Sequence, residues 1–127
     1  MCGVTVNGTV TATAFNPSSD RNLKENFSPV SPREVLDKVT ALPISRWNFK
    51  GDTATPHVGP MAQDFHAAFG LGTDDRHIAT VDADGVALAA IQGLNQKVED
   101  KEARITALEK ELAEIKRLLL NQSKKQE

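Results

Sequence analysis

The chain has 127 residues, a length that holds one small domain and an appendage. Hydrophobic residues make up 39% of it, but one Trp, five Phe and no Tyr leave little material for a large single-chain core, so burial between chains becomes attractive. A net charge of −2, from 15 basic and 17 acidic residues well mixed in sequence, gives no electrostatic footprint for nucleic acid or an anionic membrane.

Residues 1–18 read as the end of something that precedes the domain. Cys2 is the only cysteine, which excludes an intrachain disulfide and zinc-finger spacing. No charged segment followed by an apolar core marks a secretory signal, and the chain opens directly in strand-like sequence, as a fragment of a longer protein would. Val4-Thr5-Val6 and Thr9 to Phe15 alternate small apolar and hydroxyl residues around Asn7-Gly8, a hairpin signal. A lone hairpin so poor in bulky side chains is marginal in water. Two expectations stand together: the last strands of an intertwined β-stalk, or a frayed leader. Asn16-Pro17-Ser18-Ser19-Asp20 then breaks the strand, since proline cannot continue a ladder and its polar neighbours favour turns.

Residues 19–84 read as a compact unit of short helices and strands. Leu23 and Phe27 are expected to anchor its first segment. Ser31-Pro32-Arg33-Glu34 is a capping box with proline at the first helical position, and launches a helix through about Thr40 with Val35, Leu36 and Val39 inward. Leu42-Pro43 stops it. Ile44 to Phe49 predicts a strand with Ser45, Trp47 and Phe49 on one face, and His57-Val58-Gly59 a short partner. Met61 to Phe69 predicts a second helix ended by Gly70. Ile78 to Val81 predicts a last strand, with Asp82 and Asp84 as caps of a terminal helix.

From Ala87 the pattern is heptad. Ile91, Val98, Ile105, Leu112 and Leu119 occupy a; Leu94, Lys101, Leu108 and Ile115 occupy d. Lys97 with Glu102, Arg104 with Glu109, and Glu111 with Lys116 are opposite-sign pairs that select a parallel register. Arg104-Ile105-Thr106-Ala107-Leu108-Glu109 resembles the Arg-h-x-x-h-Glu signature of short parallel trimers. Lys101 at d is tolerable if its amine snorkels outward. A coiled-coil helix over residues 85–120 and a disordered tail over 121–127 follow, and the expected fold class is α+β with an N-terminal stalk remnant and a trimeric coiled coil. Its trimerisation residues are Ile91, Leu94, Val98, Ile105, Leu108, Leu112, Ile115 and Leu119.

A serine and a lysine five residues apart, Ser19 and Lys24, could form a nucleophile–base pair. On a helix or a strand that spacing separates the side chains, so the pair needs a turn, and Ser18 to Asn22 is turn-prone. The residues alone leave a dyad and a solvated loop both open. His57, His66 and His77 are nine and eleven apart, which matches no usual ligand pair, so no metal is expected.

Three blocks in order carry a resemblance. Ser19-Asp20-Arg21-Asn22-Leu23-Lys24-Glu25-Asn26 resembles the opening motif of the C-terminal intramolecular chaperone domain of phage endosialidases and other tail spikes, the S74 peptidase family. Ile44-Ser45-Arg46-Trp47-Asn48-Phe49 supplies the second block, and His57-Val58-Gly59-Pro60-Met61-Ala62-Gln63-Asp64 resembles the family's His-x-Gly-x-x-Ala-Gln segment. The likeness runs to about Leu120, with departures at Asn22, Phe27 and Pro60. It implies self-cleavage with Ser19 as nucleophile and Lys24 as general base. Such a lysine must lose its proton, which burial or nearby positive charge such as Arg21 promotes by lowering a pKa of about 10.4. Asp20 and Asn22 would orient the turn or serve an oxyanion, and His57 would assist or simply pack. The scissile bond adjoins Ser19, with Ser18–Ser19 favoured because a side-chain oxygen attacks the preceding carbonyl through a five-membered ring; cleavage after Ser19 is the alternative. No cofactor is implied. The implied partners are a homotrimer of the chain itself and an upstream β-fibre of the same polypeptide, with no nucleic acid and no membrane, in a phage tail fibre or on a bacterial surface. The rival expectations are a non-cleaving structural trimerisation tip and an adhesive knob, the last poorly served by so few aromatics.

Overall fold

A computed structural model describes residues 3–126. Its elements are a 3₁₀ turn at Arg21–Leu23, α1 (Pro32–Ala41), β1 (Ser45–Trp47), β2 (His57–Gly59), α2 (Ala62–Phe69) and α3 (Thr80–Lys125). Among the described residues the fold is small and α+β, with a two-stranded sheet and three α-helices, the last of them very long.

Helix α1 starts where the capping box places it. The Ser31 hydroxyl accepts from the Glu34 amide, Pro32 fills the first helical position, and Leu42 ends the helix in extended backbone. Strands β1 and β2 are antiparallel, with Ser45 opposite Gly59, Arg46 opposite Val58 and Trp47 opposite His57. Only three residues of the expected Ile44–Phe49 strand pair, because β2 offers three partners. Helix α2 stops at Gly70, whose φ of 63° is the left-handed conformation that lacks a Cβ penalty.

The core lies between α1 and the N-terminal half of α3, and beneath α2. Leu36, Phe65 and Ala90 are its buried apolar residues, at 8%, 4% and 7% exposure. Phe65 packs on Phe69 with ring centroids 4.9 Å apart. Where α1 crosses α3, Gly93 is buried, and a Cβ built on it would lie 2.2 Å from the Pro32 carbonyl oxygen. The helices meet there by backbone contact, which no larger residue permits. Farther along, Arg33 Nη1 donates to Asp100 Oδ2 at 2.7 Å, an exposed pair that fixes little by itself.

Helix α3 corrects several expectations. It begins at Thr80, so Thr80 and Val81 are helical and no strand forms at Ile78–Val81. Asp82 and Asp84 lie inside the helix; Ala79 is the N-cap and makes no side-chain cap bond. At its other end the helix runs on to Lys125, through most of the expected tail, because Asn121 to Lys125 contain no breaker. Its 46 residues make a rod of about 70 Å at 1.5 Å per residue. Beyond Asp100 every described side chain of α3 is exposed, including Ile105, Leu108, Leu112, Ile115 and Leu119 at 52–61% or so of their full area. Among the described residues no helix is long and apolar enough to cross a membrane.

Residues 3–18 contain no strand and are exposed throughout. The Asn7-Gly8 hairpin does not form, since small alternating side chains have nothing within one chain to bury against. Leu23 and Phe27 also fail as anchors, standing 72% and 69% exposed. Met1, Cys2 and Glu127 lie outside the described residues.

Candidate active site

Local backbone chemistry brings Ser19 and Lys24 together. Asp20 is extended at φ −62°, ψ 133°, the chain turns once through Arg21–Leu23, and Lys24 resumes extended backbone at φ −121°, ψ 153°. In a 3₁₀ turn, residues three apart eclipse one another. Ser19 and Lys24 lie on the extended stretches that enter and leave this turn, and their side chains meet across it. Lys24 Nζ lies 2.6 Å from Ser19 Oγ. That is a direct hydrogen bond, in which the ammonium donates to the hydroxyl; once the amine is neutral the hydroxyl can donate to it instead.

The turn is closed by the Leu23 amide donating to the Asp20 carbonyl and the Lys24 amide to the Arg21 carbonyl, both at 3.1 Å. Asp20 Oδ1 accepts from the Asn22 amide at 2.9 Å and from Asn22 Nδ2 at 3.1 Å. A carboxylate only accepts hydrogen bonds, so Asp20 as a carboxylate cannot donate to an oxyanion. Ser19, Asp20, Arg21, Asn22 and Lys24 are all solvent-exposed in the single chain. Phe15, Asn16 and Pro17, just upstream, line a shallow cleft with Thr80, the first residue of α3.

His57 belongs to a different cluster. Its ring stacks on Trp47 at 4.8 Å and 29°, and Phe49 meets both edge-on, at 5.0 Å from Trp47 and 5.5 Å from His57. Among the described residues no hydrogen bond or ion pair joins His57 to Ser19 or Lys24. The buried Trp47 Nε1 has no hydrogen-bond partner among the described residues. Trp47 and Phe49, which the strand pattern puts on one face, border an open depression with Met61, Gln63, Arg76 and His77.

Two structural features carry no expectation from the sequence. Gly93 is one, although a glycine interrupting an otherwise heptad helix is a visible sign of close approach. Asp74 is the other. Its Oδ1 accepts from the amides of Arg76 and His77 at 2.8 and 3.0 Å, and the His77 ring nitrogen Nδ1 lies 2.9 Å away. Chiefly the Arg76 amide, then the His77 ring, hold the Asp74 carboxyl below its ordinary pKa of 3.8, against a smaller opposing desolvation. An Asp followed at two and three residues by free amides is a readable Asx-turn signal. Among the described residues no cluster of metal-ligating side chains occurs.

Residues 19–70 match a protein-family model, Peptidase_S74, described as chaperone of endosialidase. The match opens on Ser19, takes in the turn, both strands and α2, and closes on the αL glycine that ends α2. No curated protein is significantly similar to the chain.

Proposed function

We propose that this chain, whose residues 19–70 belong to the Peptidase_S74 family of endosialidase chaperones, is a trimeric intramolecular chaperone that cuts itself from the fibre it helps to fold. The observation that carries the reading is the 2.6 Å contact between Ser19 Oγ and Lys24 Nζ at the first residues of the matched segment.

The chemistry follows from that contact. Ser19 Oγ attacks the Ser18 carbonyl carbon while the neutral Lys24 amine takes the hydroxyl proton. The five-membered adduct opens by breaking the carbon–nitrogen bond, and Lys24 returns the proton to the Ser19 nitrogen. Water then hydrolyses the resulting ester, freeing a Ser18 carboxylate and restoring the Ser19 hydroxyl. The net reaction is hydrolysis of one peptide bond, once per chain.

Assembly rests on α3. Its exposed a and d side chains, Ile91 to Leu119, are the apolar stripe of a helix that lacks a partner over most of its length. Three copies in parallel would cover that stripe and hold three upstream segments in register. Inter-chain β pairing of an upstream fibre then starts at high effective concentration, which offsets the entropy of closing non-local contacts. Residues 3–18, strand-like in sequence yet unpaired alone, are the end of that fibre. The setting that suits this role is a phage tail or a similar surface fibre. Neighbouring chains would also shield Ser19 and Lys24 from water.

The exposure of both side chains in the single chain favours a second reading, a permanent trimerisation tip that never cleaves. Intact mass of the folded wild type, Ser19→Ala and Lys24→Ala separates the two. Self-processing predicts loss of the leader in wild type alone, leaving a fragment that begins at Ser19, with both variants full-length. A full-length wild type, or cleavage in either variant, overturns the assigned roles.

A further inference from the structure

We infer that Asp20 is the positioning residue of this site: an N-cap whose acceptor oxygen, rather than its charge, holds Ser19 and Lys24 in contact. The inference rests on the self-processing reading and deepens it. Of the bonds that close the turn, the two between backbone groups survive any side-chain substitution. The bonds that depend on which residue occupies position 20 both end on Asp20 Oδ1, and the one from the Asn22 amide ties the side chain to the turn's backbone. A single 3₁₀ turn has poor hydrogen-bond geometry and little intrinsic stability, so its closed population responds to one cap. The Leu23 side chain cannot supply the missing hold, because it stands in solvent. Opening the turn separates the nucleophile from the amine, and the reaction slows in proportion to the closed population. Asn22 adds a second, weaker tie through Nδ2 to the same oxygen.

The test follows self-cleavage of the full chain by intact mass across pH, for wild type, Asp20→Ala, Asp20→Asn and Asp20→Ser. Removing a cap acceptor lowers the equilibrium constant for closing the turn about two- to thirty-fold, whereas Asn and Ser cap about as well as Asp. Asp20→Ala should therefore cleave several-fold more slowly, Asp20→Asn and Asp20→Ser should recover to near the wild-type rate, and the midpoint of the pH–rate profile should stay in place in Asp20→Ala. A rate for Asp20→Asn as low as for Asp20→Ala would assign the role to the charge and overturn the proposal, as would an unimpaired Asp20→Ala. Solvent exchange of the Asn22 amide, read by NMR on the same samples, keeps the two readings apart. If the wild type never cleaves, the self-processing reading fails, and the cap itself stands or falls on whether Asp20→Ala alone accelerates that exchange.

Discussion

The two halves of α3 carry similar apolar periodicity and meet opposite fates. From Thr80 to about Asp100 one face packs on α1, with Ala90 and Gly93 buried. The other face of the same half leaves Val81, Leu88 and Ile91 exposed at 57–63%. Past Asp100 every described side chain is exposed. The difference is partner supply: α1 is ten residues long and reaches one side of one end of a 46-residue rod. A helix of such length with mixed charge on its polar face is not held by propensity alone. One segment thus states two packing problems, one solved within the chain and one left for other chains.

The largest effect should come from attacking the second problem alone. Ile105→Asp with Leu108→Asp puts two carboxylates into the proposed seam, where each lost apolar side chain costs about 2–5 kcal/mol and each unpaired charge more. The wild type should sediment as a trimer and the double variant as a monomer, with the α1–α3 core still folded. A variant that remains trimeric moves the assembly surface away from α3.

A smaller effect should come from the first problem. At Gly93 helix propensity favours alanine by about 1 kcal/mol, but the added methyl would meet the Pro32 carbonyl oxygen at 2.2 Å and its carbon at 2.7 Å. Backbone cannot rotate aside as a side chain can, so α1 must move, at a cost of about 1–3 kcal/mol or more for overpacking. Gly93→Ala should lower the thermal midpoint while leaving the oligomer intact. Gly85→Ala, on the same helix with nothing within 4 Å of its Cβ, is the control and should be neutral or slightly stabilising. Equal effects at the two positions would mean the close approach is not what sets the α1–α3 spacing.

The same distinction explains what was legible in the sequence. Features decided by a few neighbouring residues read well: the Ser31 capping box, the Gly70 stop, the short strand at His57–Gly59, and the turn that Ser18 to Asn22 announces. The motif that opens at Ser19 marks the start of the family match, which runs to Gly70 and not on to Leu120. Features decided by distant or absent surfaces read poorly. The Val4–Phe15 alternation is a β alphabet without a partner, Leu23 and Phe27 are anchors without a socket, and Ile78–Val81 went to a helix because continuing α3 satisfies more backbone bonds than an isolated strand. His57 matches the motif, yet its stacking on Trp47 is a consequence of strand register that spacing alone does not reveal.

The smallest effect lies where α3 begins. Ala79 caps the helix without a side chain, so the entry of the chain is held instead by Asp74, which gathers the amides of Arg76 and His77. Those donors favour the ionised carboxylate, which is why its pKa falls below 3.8. A carboxylate with a lowered folded pKa contributes its stability above the unfolded value and loses it as pH falls through the folded one. Between pH 8 and about 4 the loop should therefore hold, and below that it should loosen as Asp74 takes a proton. Amide exchange at Arg76 and His77 should rise with a midpoint below 3.8 while the helicity of α3 past Asp100 stays constant, since nothing in that half depends on the loop. A midpoint at or above 3.8 would mean that these amides do not stabilise the carboxylate. Loss of helicity throughout α3 on the same titration would mean instead that its two halves are one cooperative unit, and the comparison between them would have to be drawn at the α1 contact rather than along the rod.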